Sequence, residues 1–79
     1  MHDQQFPLYR CSANGLNWYR IASFAEFTEV QRVGNRYILH RIKAETYPEK
    51  VRIMELVGLE HGSSECSRME YENALSKSA

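Results

Sequence analysis

The dipeptide Asn14, Gly15 lies between two runs rich in aromatic and apolar residues, FPLYRCSA (6–13) and LNWYRIA (16–22). Asn-Gly between such runs is a strong local signal for a β-hairpin, because a two-residue type I′ turn needs positive φ at both central positions. With these two residues as the loop, Ala13 faces Leu16 and the register follows: Cys11 opposite Trp18, Arg10 opposite Tyr19, Tyr9 opposite Arg20, Leu8 opposite Ile21. Side chains alternate across a strand. One face therefore carries Tyr9, Cys11, Ala13, Leu16, Trp18 and Arg20, and the other Phe6, Leu8, Arg10, Ser12, Asn17, Tyr19 and Ile21. Trp18 then reads as core against a helix, and Tyr19, beside Arg10, as the outward contact. Both faces are partly apolar, more than a half-solvated hairpin requires, so either helices cover one face while a partner chain touches the other, or the register is different.

The segment 23–34, SFAEFTEVQRVG, supports two readings. As a helix it has Ser23 at the N-cap with Glu26 three positions on, Arg32 in the last turn and Gly34 as a stop. Phe24, Phe27 and Val30 also recur at helical spacing, so the helix is the preferred reading. As a strand it runs through Gly34 and Asn35 into RYILHRI, making a second hairpin. Residues 36–45 read as a central strand. The stretch 47–59 reads as a long, mostly buried helix, with Thr46 three before Glu49 and Pro48 in the first turn, and with Val51, Ile53, Met54, Leu56, Val57 and Leu59 spread around its circumference. Residues 63–79 are polar, with Ser67 and Glu70 as a weaker capping pair, and suggest a loosely packed terminal helix or a frayed tail. The expected architecture is α+β: a small antiparallel sheet, in ββαβα order or as a four-stranded meander plus helix, packed on one long apolar helix.

The 79 residues form one domain, 1–79, with a globular composition of 43% hydrophobic and 11% aromatic residues. A chain this short buries only about 60% of its unfolded surface, so self-association would help it. A free sheet edge or the over-apolar helix makes a homodimer a natural expectation. No run of about 18 apolar residues spans a membrane, and the polar start does not resemble a secretion signal. The expected compartment is the cytoplasm. Two cysteines, Cys11 and Cys66, without a CxxC pair, read as reduced thiols.

Net charge is zero but unevenly placed: residues 1–43 carry six basic and three acidic side chains, and residues 44–79 carry four basic and seven acidic ones. That asymmetry fits either a plain solvated surface or a dipolar molecule that docks by one charged face or by head-to-tail self-association. Chemistry has little to build on. His2 lies in the N-terminal stretch, and His40 reads as a sheet residue, opposite Glu29 if the second hairpin forms. His61 and Cys66 give only one loose pair where zinc needs close paired spacings. A position at a helix start would lower the Cys66 pKa, but only His61 is near it in sequence. No phosphate-binding glycine loop is present. The expectation is a non-enzymatic protein without cofactor or metal.

What the sequence does offer is arginine interleaved with aromatics: Arg10, Tyr19, Arg20, Arg36, Tyr37 and Arg41 are the candidate partner-binding residues. Trp, Tyr and Arg are enriched at interface hot spots. The expected function is a stoichiometric inhibitor or adaptor acting on a larger protein or nucleoprotein assembly. Size and missing chemistry fit the compact inhibitors made by phages and mobile elements. The second choice is a nucleic-acid-binding regulator in which the tyrosines stack bases and the arginines meet phosphates, although a net charge of zero speaks against it.

Overall fold

A computed structural model describes residues 5–78, so His2 lies outside the described residues. The elements run β1 (Leu8–Cys11), β2 (Asn17–Ser23), β3 (Glu26–Val33), β4 (Arg36–Lys43), α1 (Tyr47–Val57), β5 (Ser64–Glu65) and α2 (Arg68–Ser76). The strands form one antiparallel sheet in the order β4-β3-β2-β1-β5, with β4 at one edge and the two-residue β5 at the other. This is an α+β arrangement built on the four-stranded meander rather than on the ββαβα order. Among the described residues no helix is long and apolar enough to cross a membrane.

The β1–β2 register is the one the Asn-Gly signal predicts, but the turn differs. Gly15 N–H donates to Ser12 C=O (3.0 Å) and Ser12 N–H to Asn17 C=O (3.0 Å), so four residues, 13–16, make the connection. Gly15 takes positive φ (73°), whereas Asn14 does not. Instead the Asn14 side chain accepts from Leu16 N–H (3.0 Å). A turn followed by a glycine in the left-handed region keeps the strands in the register a type I′ loop would give, with Ser12 and Asn17 rather than Ala13 and Leu16 as the closing pair.

Segment 23–34 forms a strand, against the preferred helix. The side chains of Phe27 and Val30 go to opposite faces, and both are buried. A helix would have placed them on one stripe and left the sheet without its third strand. The apparent N-cap, Ser23, closes a two-residue turn at Phe24 and Ala25, its hydroxyl accepting from Ala25 N–H (3.0 Å).

The two-sided apolarity of the hairpin is resolved within the chain. On one face α1 packs Ile53 and Leu56 against Tyr19, Ile21, Phe27 and Ala44, with Leu8 and Ile42 alongside. On the other, α2 packs Tyr71 and Ala74 against Val30, with Tyr9, Trp18, Tyr37 and Leu39 around them. The sheet is therefore sandwiched between helices, and the terminal segment supplies the second layer. Two expectations for the helices change accordingly. The first helix stops at Val57 and exposes Met54 (64%), so it is a one-sided helix rather than one buried all round. The second is tied down, with Tyr71 Oη and Thr28 Oγ1 hydrogen-bonded at 2.7 Å.

Candidate functional site

The six candidate contact residues separate into an interior pair, an aromatic bridge and a basic group in which Arg36 and Arg41 are exposed and Arg20 is half-buried. Arg10 and Tyr19 are 5% and 3% exposed, so neither offers its side chain to a partner. Arg10 Nε donates to Leu56 C=O (2.8 Å), and Nη2 donates to Val57 C=O (3.2 Å). It satisfies carbonyls at the end of α1, where the helix dipole favours a cation. The Tyr19 hydroxyl accepts from Arg52 Nη2 (2.7 Å), and the guanidinium also lies over the ring, 5.5 Å from its centroid. Burial first, and then nearby Glu29, push the Tyr19 pKa up.

Tyr37 is half-buried. Its ring is stacked with Trp18 (centroids 5.9 Å apart, 29° between planes), with Lys77 Nζ and Arg32 Cζ 5.4 and 5.8 Å from its centroid. Tyr9 packs on Tyr71 beneath α2. The aromatic rings singled out in the sequence are thus engaged inside the molecule.

What remains at the surface is basic. Register places Arg20, Thr28 and Arg41 side by side on the α2 face across β2, β3 and β4, with Lys43 one pleat further along opposite Glu26. These residues border a groove of about 560 Å³ that no α2 residue lines. Glu45, just before α1, and Glu49, in its first turn, also line it. The Glu49 carboxylate already accepts from the N–H groups of Glu45 and Thr46 (3.0 Å each), and these bonds lower its pKa. Among the described residues no carboxylate lies within 4.0 Å of the Arg20, Arg41 or Lys43 cation. Arg36 is exposed at the start of β4, on the opposite face.

Lys43 is the residue the sequence reading missed, and the signal was available: Arg41 and Lys43 are two apart on a strand and must share a face. The whole molecule repeats this polarity. Residues 1–43, net +3, contain the four meander strands, and residues 44–79, net −3, contain both helices and β5.

The remaining polar candidates are engaged locally. His40 lies opposite Glu29, as the second hairpin implied, and its Nε2 is 3.2 Å from Gln31 Oε1. His61 Nε2 is 3.0 Å from Glu55 Oε2. The described residues contain no group of three His, Cys, Asp or Glu arranged to hold a metal. The Cys66 thiol is pushed up to about 12, first by burial and then by Cys11 and Glu70, against the expected lowering. It precedes the helix cap Ser67 and packs towards Cys11 across β1 and β5, so desolvation outweighs any benefit from the helix start. A second, apolar depression of about 350 Å³ is formed by Phe24, Ala25, Ala44, Lys50 and Met54. No protein-family model, functionally characterised protein or solved structure matches the chain.

Proposed function

We propose that the protein is a non-enzymatic interaction protein, a stoichiometric inhibitor or adaptor that docks through the basic part of its sheet onto an anionic surface of a larger assembly. The observation that carries this reading is the row Arg20, Thr28, Arg41 with Lys43 beside it. Three cations lie on one pleated surface of the meander, bordering a groove that no α2 residue lines and without ion partners among the described residues. Unpaired charge fixed on strands costs little further ordering on binding and steers encounter with an oppositely charged partner.

A protein surface suits this site better than a nucleic acid. Base stacking needs free ring faces, whereas Tyr9, Tyr19 and Tyr37 are engaged by Tyr71, Arg52 and Trp18. The groove also mixes Glu26, Glu45 and Glu49 with its cations, which a continuous phosphate chain would meet unfavourably.

The test compares tagged wild-type protein with an Arg20→Glu, Arg41→Glu variant in capture from cell extract, with circular dichroism to verify the fold. The reading expects a partner held in stoichiometric amount by the wild type and lost with the charge reversal. Unchanged capture would refute it. Salt-sensitive retention of the wild type on an immobilised oligonucleotide would move the assignment to nucleic acid.

A further inference from the structure

Among the described residues, β4 is an edge strand of eight residues, hydrogen-bonded to β3 alone. Ala44 N–H donates to Ala25 C=O (2.7 Å), and the pairs Glu26 with Lys43 and Phe27 with Ile42 continue the same register. In an antiparallel ladder, hydrogen-bonded pairs alternate with non-bonded ones. Ile42, His40, Ile38 and Arg36 therefore bond to β3, while the N–H and C=O groups of Tyr37, Leu39, Arg41 and Lys43 point away from the sheet. The β2–β3 pair agrees: Arg32 N–H donates to Leu16 C=O (2.8 Å), which directs even-numbered β3 residues to β2 and odd-numbered ones to β4.

The outward backbone groups thus belong to the same residues whose side chains lie on the α2 face, among them Arg41 and Lys43. The sequence of β4, RYILHRIK, contains no acidic residue. Self-pairing through this edge would leave Arg36, Arg41 and Lys43 without a carboxylate opposite them anywhere along β4, and positive charge on an edge strand is a common protection against such pairing. The charge that opposes self-pairing selects the complementary occupant.

Resting on the basic-face reading above, we infer that the partner contributes an extended acidic segment that adds to β4 as a sixth strand. Its backbone pairs with Tyr37, Leu39, Arg41 and Lys43, and carboxylates at alternate positions lie beside Arg41 and Lys43 on the α2 face. Main-chain pairing supplies affinity and the alternating side chains supply selectivity, as in other strand-addition complexes. The mode differs from a purely electrostatic contact because it requires the free N–H groups of β4.

The probe is a synthetic peptide alternating glutamate with valine, titrated into the full chain and followed by amide hydrogen exchange. Strand addition slows exchange at Leu39, Arg41 and Lys43 by at least about tenfold and leaves the already bonded amides of Ile38, His40 and Ile42 unchanged. Two variants separate backbone from charge. Arg41→Gln keeps the edge N–H and weakens binding by about fivefold. Arg41→Pro also removes that N–H without disturbing the ladder to β3, and weakens binding by about a further tenfold. Equal binding by the Gln and Pro variants, with no protection of the outward amides at millimolar peptide, overturns strand addition while leaving charge-driven docking in place. Indifference of peptide binding to both Arg41 variants and to Arg20→Glu sinks the basic-face reading as well. Outward amides that are protected in the concentrated free protein and become exposed on dilution would assign the edge to a second copy and overturn the inference.

Discussion

Removing the Arg10 guanidinium strips the carbonyls of Leu56 and Val57 of their charged donor in a place that water reaches poorly. Hydrogen bonds from a charged group contribute more than neutral ones, and the cost of an unpaired buried acceptor is added when the donor is lost. Arg10→Ala is therefore expected to destabilise the fold by about 3 kcal/mol, a large share of what a domain this small can hold. Arg10→Lys should recover little of that loss, since a single ammonium lacks the planar fork that reaches two carbonyls. A urea titration of the three proteins checks both expectations, and a lysine variant as stable as wild type would show that only charge matters. The sequence placed Arg10 opposite Tyr19 on one face correctly, yet it cast that face as the contact surface. Arginine and tyrosine suit a buried, hydrogen-bonded site as well as an interface, and alternation alone does not say which face a helix will cover.

At the scale of elements, α2 is the piece on which the second face depends. Without it Trp18, Val30 and Leu39 would lose their cover. Its start is fixed by Ser67, whose hydroxyl accepts from Glu70 N–H (3.0 Å) while Glu70 Oε1 accepts from Ser67 N–H (3.4 Å). Ser67→Ala should weaken the helix by about 1 kcal/mol. Because α2 ends the described chain, the loss should appear as faster amide exchange in 68–76 before global stability changes. Uniform acceleration across the sheet would mean that α2 and the meander open as one unit. The same signals were legible in the sequence, as were the Thr46 and Glu49 start of α1 and the β1–β2 register. Segment 23–34 was not, because Ser-x-x-Glu and a spacing of three serve a helix and a two-residue hairpin turn alike. The deciding contacts, Phe27 under α1 and Val30 under α2, are made by elements more than twenty residues away. The unpaired basic row was half legible: Arg20 and Arg41 were named, but their alignment through Thr28 needs the β2–β3 and β3–β4 registers together.

For the whole molecule, the direction of the pKa shifts sets where stability is lost with pH. Cys66 is raised to about 12 and Tyr19 is raised as well, both chiefly by burial of a group that is neutral when protonated. At alkaline pH the unfolded chain gives up these protons before the folded one does. Stability therefore falls with rising pH wherever the native state holds the extra proton. The Cys66 contribution is intact below its ordinary value of 9.0 and is lost as pH rises towards about 12, and Tyr19 adds to the fall above its ordinary 10.0. Glu49 acts in the other direction. Its pKa is lowered by the N–H groups it holds at the start of α1, so its contribution is present above 4.5 and is lost as pH drops through the lowered value. The thermal midpoint should accordingly be highest between these windows and should decline on the alkaline side above 9.0. Cys66→Ala isolates the thiol. In that variant the decline should begin about one pH unit later, with the tyrosine. A variant whose midpoint follows the same alkaline curve as wild type would place the proton-linked loss on Tyr19 alone, whatever the two proteins' absolute stabilities.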